Sequence, residues 1–255
     1  MAARSLTCRQ LFEPESSSFT YLLSDAATRE ALIIDPVLET AARDLQLLHL
    51  AGLELRYVLE THLHADHVTG AAVLRATTGA QVAVSRASRI QGADLLLDDG
   101  ATLSLAAAQL LCIATPGHTA GCLSYYTQGM VFTGDCLLIR GTGRSDLPEG
   151  DAATLYDSIH TRLWSLPAQT RVYPAHDYGG HRRSTIGCER RLNPRVGAGS
   201  SRAGFIRLMS ELKRAPPARM LQAIPANLHC GLTPVPAAAS APRPSAHPQP
   251  EETPT

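Results

Sequence analysis

Residues 61–67 read Thr-His-Leu-His-Ala-Asp-His, so three imidazoles and a carboxylate fall within six consecutive positions. A β-prone apolar run at 55–59 leads in, and a helix-like stretch at 68–78 follows. Imidazole and carboxylate are transition-metal ligands, and such sites form where a strand ends in a loop on a rigid scaffold. A single histidine there would read as part of a solvated loop. The pattern His62-x-His64-x-Asp66-His67 at a strand end reads as a metal nest. It requires a fold that brings further ligands to the same edge.

The rest of the chain leaves room for such a fold. Its 255 residues are 44% apolar and 18% charged, with a formal net charge of zero and no long run of one sign. That composition fits a globular protein and argues against nucleic acid or an anionic membrane as the main partner. No apolar run approaches the ~18 residues of a membrane span. The N-terminus carries two arginines and few acids, which leaves a short mitochondrial-type targeting stretch open. With no secretory core and strand-like sequence from about residue 19, the expected location is a reducing cytoplasm. The six cysteines contain no Cys-x-x-Cys pair, so no zinc knuckle or thioredoxin-type motif is expected. Cys112 and Cys122 lie in apolar runs and read as core residues.

Along the chain, 19–23 and 31–34 read as a hairpin. Asp35-Pro36 looks like a helix start, with apolar residues at helical spacing from Leu38 to Leu48 and Gly52 as the stop. A strand at 55–59, the histidine cluster, a helix at 68–78 and a strand at 81–84 follow. Further strands are expected at 102–105, 110–114, 122–126, 130–132 and 171–173. Helices are expected from Asp151 to about Trp164, and at 184–192 and 202–214. Two strand-rich halves, each followed by helices, suit an α+β class with αββα layering: two mixed sheets with helices on the outer faces. Residues 1–232 form the expected catalytic domain. From Thr233 onward proline and alanine dominate, with seven of the 17 prolines, and a disordered tail is expected there.

Four places then stand out: the His62–His67 cluster, His118, Asp135 and His176. Each follows an apolar strand-like run and sits in a turn region, and strand ends of one edge can converge. Singly, His118 or Asp135 would count for little. Together, His62-x-His64-x-Asp66-His67, Pro-Gly-His118-Thr, Thr-Gly-Asp135 and Pro-Ala-His176 resemble the metallo-β-lactamase superfamily. The resemblance runs from about residue 10 to 232 and implies an αββα sandwich with metal at one edge.

Two chemistries compete within it. In a glyoxalase II-type thioester hydrolase, two metals (zinc or iron) would be held by His62, His64 and His118 and by Asp66, His67 and His176, with Asp135 bridging. All seven positions are filled, and a metal-bound hydroxide would attack the thioester. In the second, a single Fe(II) uses two histidines and one carboxylate, leaving positions for substrate and O₂. His62, His118 and Asp135 could supply that triad. Ligand types alone do not choose between the two, and a bare ligand count favours two metals.

The flanking sequence does choose. Gln10-Leu11-Phe12, residues 137–146 (Leu-Leu-Ile-Arg-Gly-Thr-Gly-Arg-Ser-Asp), His176-Asp-Tyr178-Gly-Gly, Arg191-Leu-Asn-Pro-Arg195 and Ile224-Pro-Ala-Asn227-Leu-His-Cys230-Gly are similar to the persulfide dioxygenase family. This resemblance implies one Fe(II) on His62, His118 and Asp135. It implies oxidation of glutathione persulfide by O₂ to sulfite and glutathione, and a homodimer. His64, Asp66, His67 and His176 become groups surrounding the metal. Arg144 and Tyr178 match family positions linked to substrate binding, although Arg144 also fits a salt bridge with Asp146 and Tyr178 a packing role. Cys230 matches a family cysteine near the site. A redox role for it needs thiolate character, which the sequence does not show. Thr142 and Cys188-Glu189 depart from the family pattern and are expected to bear on surface and loop properties. No sulfurtransferase domain is expected after Gly231.

Overall fold

Along the first strands, neighbouring apolar residues separate cleanly to two sides, as the period of two in a β-strand dictates. Tyr21, Leu23, Leu32, Ile34, Leu59 and Ala83 join one buried cluster. Leu22, Ile33, Val58, Val82 and Val84 join another with Leu48 and Leu74. Both faces of this sheet are therefore covered. A computed structural model describes residues 6–212 and 214–232. The Pro-rich tail expected from 233 onward lies outside the described residues.

The first sheet has the order β1 (Thr7–Glu13), β2 (Ser18–Ser24), β3 (Glu30–Ile34), β4 (Glu54–Leu59), β5 (Gln81–Ser85), β6 (Leu95–Leu97). Its first two pairings are antiparallel and the remaining three parallel. The second sheet begins at β7 (Thr102–Leu105) and runs through β8 (Ala108–Ala114), β9 (Leu123–Thr127), β10 (Met130–Gly134) and β11 (Arg171–Pro174) to the two-residue β12 (Ser184–Thr185). Only its β10–β11 pairing is parallel.

The inner faces meet in one apolar layer, where Tyr21 packs edge-on to Phe132 at 5.0 Å and Phe132 stacks on Tyr173 at 5.2 Å. Helices α1 (Ala41–Ala51) and α2 (Ala71–Thr78) contribute to the outer layer of the first sheet. Helices α3 (Ala152–Ser158), α4 (Ile186–Leu192) and α5 (Arg202–Glu211) cover the second. Asp151 caps α3 by accepting from the Thr154 amide, and a π-helical turn, Ile159–Leu163, continues it. The expected αββα layering is what the chain forms.

Several boundaries depart from the sequence reading. Asp35 does not cap a helix. Its φ is +51°, and α1 begins six residues later, after a 3₁₀ turn at Leu38–Thr40. Its carboxylate instead accepts from the Thr61 amide and hydroxyl, both at 2.7 Å. Helix α2 starts at Ala71 rather than residue 68, because 68–70 lead across from the histidine loop. Helix α5 stops at Glu211, so Arg214 lies beyond it. Strands β1 and β6 and helix α6 (Met220–Asn227) were not expected. Glu189, expected at the surface, is fully buried and binds Arg140, Ser184 and Asn193.

Candidate metal centre

The C-terminal ends of β4, β8, β10 and β11 lead into the four sequence motifs. Cross-links between the two sheets draw these ends together. The Tyr125 hydroxyl, on β9, donates to the Glu60 carbonyl at 2.7 Å, and the Leu123 amide donates to the Thr61 carbonyl at 2.8 Å. The Phe19 amide donates to the Ala175 carbonyl, and the Ala175 amide to that of Gly134. At Gly134, with φ +52°, a Cβ would come within 2.5 Å of Thr61 Oγ1. Only glycine allows β10 to run this close to the histidine loop.

Ligand atoms of His62, His118 and Asp135 lie within 4.8 Å of one another, and all three residues are largely buried. Each ring has one nitrogen occupied by protein. His118 Nδ1 donates to the Arg144 carbonyl at 2.7 Å, which directs Nε2 toward Asp135 Oδ2 at 3.6 Å. His62 Nδ1 donates to Thr61 Oγ1 at 2.9 Å, and that hydroxyl donates to Asp35. Partners of this kind fix the tautomer and leave Nε2 free for a cation. Burial, followed by the neighbouring His64 and His118, holds His62 well below the usual imidazole range, so its ring is neutral as a ligand must be.

The remaining polar residues surround this triad. Asp66, His67 and His64 form a second group of close ligand atoms, and Asp35, Glu60 and His64 a third. His64 Nε2 sits 3.2 Å from Asp35 and 3.3 Å from Glu60. Burial would lower the His64 pKa, but the Asp35 and Glu60 carboxylates raise it well above the usual value. His67 Nδ1 donates to Asp66 at 3.1 Å. Burial opposes ionisation of Asp66, yet His67 beside it keeps that carboxyl well below the usual range. His176 Nδ1 donates to the Ser17 carbonyl, and its Nε2 lies 3.6 Å from both Asp66 and Asp135. Among the described residues, the buried His67 Nε2 and Asp135 Oδ1 have no hydrogen-bond partner. Buried polar atoms are rarely left so, and a cation on the triad would satisfy Asp135 Oδ1. The donor set and this orphaned oxygen fit a transition metal.

A pocket of about 390 Å³ opens above the triad, with His62, His118, Asp135 and His176 among its lining residues. Tyr178 is 68% exposed and stacks on His176 with ring centroids 5.5 Å apart. Arg144 also lines the pocket, but it grips Asp146 at 2.6 and 2.7 Å and donates to the carbonyls of Arg214 and Ala215. The salt bridge that the sequence offered as its plainer role is present. Cys230 stands apart: it is 2% exposed in the core beneath α2, its thiol donates to the Gln91 carbonyl, and burial pushes it up to about 11. That environment favours the thiol over the thiolate.

Sequence reading missed Asp35, Glu60 and Thr61 as supports of the histidines, and Arg214 as a wall of the pocket. Asp35 resembled a cap, and no local signal marks Glu60, whose partners are His64 and Thr69. Thr61 could have been suspected from its place beside His62.

Residues 14–176 match the model of the metallo-beta-lactamase superfamily. The human protein named persulfide dioxygenase ETHE1, mitochondrial, is 47% identical over 227 residues, covering 88% of each chain. The crystal structure of ETHE1 from Myxococcus xanthus superposes with a TM-score of 0.86 at 45% identity, over 88% of this chain and 99% of that one. The protein TTHA1623, solved in a di-iron-bound form, superposes with a TM-score of 0.61 at 28% identity, over 74% of this chain and 98% of that one.

Proposed function

We propose, since this chain belongs to the metallo-beta-lactamase superfamily and to the persulfide dioxygenase family within it, that the pocket is the active site of a persulfide dioxygenase. Glutathione persulfide, O₂ and water become glutathione, sulfite and two protons. The observation that carries the reading is the triad His62, His118 and Asp135, drawn together at one sheet edge in a relative that is 47% identical to persulfide dioxygenase ETHE1.

In this reading one Fe(II) per chain is held by His62, His118 and Asp135. Two imidazoles and one carboxylate are a donor set that fits ferrous iron, which would supply the O₂ chemistry. The chain's own residues set the conditions. The Arg144 carbonyl and Thr61 hydroxyl hold both rings with Nε2 inward. The Asp35 carboxylate, 2% exposed, braces Thr61 from below. His176 Nε2, between Asp66 and Asp135, accepts or returns a proton as water cleaves the oxidised sulfur from glutathione. Burial lowers the His176 pKa, and the Asp135 and Asp66 carboxylates more than restore it. The Tyr178 hydroxyl, at the pocket wall, donates to the peptide of the substrate.

A second reading, a two-metal thioester hydrolase, draws on a specific observation: Asp66, His67 and His176 offer a further set of donors beside the triad, while His64 is turned to Asp35 and Glu60. The two separate on metal content and oxygen. The dioxygenase reading expects about one iron per chain and O₂ uptake that depends on glutathione persulfide. Two metals per chain, thioester cleavage and no O₂ uptake would establish the hydrolase instead.

A further inference from the structure

Three arginines line the pocket above the triad among the described residues: Arg144, Arg214 and Arg219. Two are neutralised. Arg144 is closed on Asp146. Arg219 bridges Glu15 and Glu39, which belong to the turn after β1 and the 3₁₀ turn before α1. Arg214 has no carboxylate within ion-pair distance among the described residues, and it also borders two adjoining cavities. Arg195 lies close enough to be influenced by its charge, has no carboxylate partner among the described residues either, and donates to Thr142. A cationic wall thus stands beside a pocket whose floor carboxylates, Asp66 and Asp135, belong to the metal site.

The backbone that carries Arg214 is fixed at both ends. Arg144 donates to the carbonyls of Arg214 and Ala215 at 2.9 and 2.8 Å, and Arg219 ties the far end to the first sheet. Pro216 and Pro217 stiffen the span between. The strap at 214–219 therefore presents an unpaired guanidinium from a held backbone. A planar donor fork suits a carboxylate bidentately, and holding the backbone in advance lowers the cost of using it.

We propose that Arg214 binds a carboxylate of the substrate's glutathione moiety, and that Arg144 is the positioning residue that pins the strap beneath it. The inference rests on the persulfide dioxygenase reading and reassigns the anchor that the resemblance placed on Arg144. It makes the substrate class an anionic peptide persulfide and sets selection against persulfides without carboxylates.

The test uses the iron-loaded protein and the variants Arg214→Ala and Arg214→Lys. Binding of glutathione and of its diethyl ester, in which both carboxylates are masked, is measured by calorimetry, and O₂ uptake is followed with glutathione persulfide. Arg214→Ala should weaken glutathione binding and raise KM about tenfold, with the change in KM rather than kcat, and Arg214→Lys should recover part of the loss. The diester should bind the parent protein and Arg214→Ala alike. Undiminished glutathione binding in Arg214→Ala, or a diester bound by the parent as tightly as glutathione, overturns the proposal. If the parent protein consumes no O₂ with glutathione persulfide while Arg214→Ala still weakens glutathione, the reaction assignment fails and the anion anchor stands.

Discussion

The Arg144 guanidinium meets the Asp146 carboxylate edge-on, Nε to Oδ1 at 2.6 Å and Nη2 to Oδ2 at 2.7 Å. The same side chain donates to two carbonyls of the strap, and its own carbonyl accepts from His118 Nδ1. One residue therefore couples His118 to the pocket wall. Removing Asp146 separates a clamp from an anchor. Asp146→Asn should loosen the strap and raise KM several-fold, as Arg144→Ala should, with iron content retained in both. Were Arg144 the direct anchor for substrate, freeing it from Asp146 would lower KM or leave it unchanged. Steady-state O₂ uptake together with metal analysis decides.

The hydroxyl of Tyr125 crosses from the second sheet to the Glu60 carbonyl, directly before the histidine loop. Tyr125→Phe leaves that buried carbonyl without its partner. The expected loss is about 1–2 kcal/mol of unfolding free energy, measured by urea denaturation with an unchanged m-value. A loss near zero would mean that the sheets are held together at this edge by packing alone.

Gly134→Ala places a methyl group against the Thr61 side chain at a backbone angle that L residues avoid. It should destabilise by about 2–4 kcal/mol and reduce metal occupancy, because the same contact sets His62. Circular dichroism melts and metal analysis on the soluble fraction test this. Full occupancy with wild-type stability would show that the close approach does not matter to the site.

Asp44 on α1 is 1% exposed, and burial raises its carboxyl to about 6 despite Arg43 beside it. Its folded pKa thus exceeds the unfolded value of 3.8. The folded state binds the extra proton, so this residue's contribution to stability is present at low pH and is lost as pH rises through about 6. Asp44→Asn should therefore flatten the stability profile between pH 4 and 7. The variant's stability relative to the parent should improve by about 1–3 kcal/mol across that window. Parallel thermal melts at several pH values would contradict this if the two profiles ran at a constant offset.

The sequence made the candidate site legible to an unusual degree, because its histidines and Asp135 follow strand ends, and strand ends carry local signals. The runs before His62, His118, Asp135 and His176 are apolar and β-prone, and the Gly and Pro beside them mark turns. What escaped notice lacks such signals. Strand β1 alternates weakly because most of it is exposed or half-buried at a sheet edge, and β6 is three residues long. Helix α6 carries Pro225 in its interior, which argues against a helix when read locally. Asp35 was misread because an Asp-Pro pair before helical spacing mimics a cap, whereas its partner Thr61 is 26 residues away. Arg214 was placed inside a helix that ends at Glu211, so its position at the pocket could emerge only from the path of the strap.

The central claim is that this site oxidises a glutathione persulfide with O₂ on a single metal. An oxygen electrode with the iron-loaded protein, coupled to quantification of sulfite and glutathione, tests it most directly. The account predicts O₂ uptake only when glutathione persulfide is present, with one sulfite and one glutathione formed for each O₂ consumed, and loss of both uptake and iron in Asp135→Ala. No O₂ uptake from a protein that carries two metals and cleaves a glutathione thioester would contradict it.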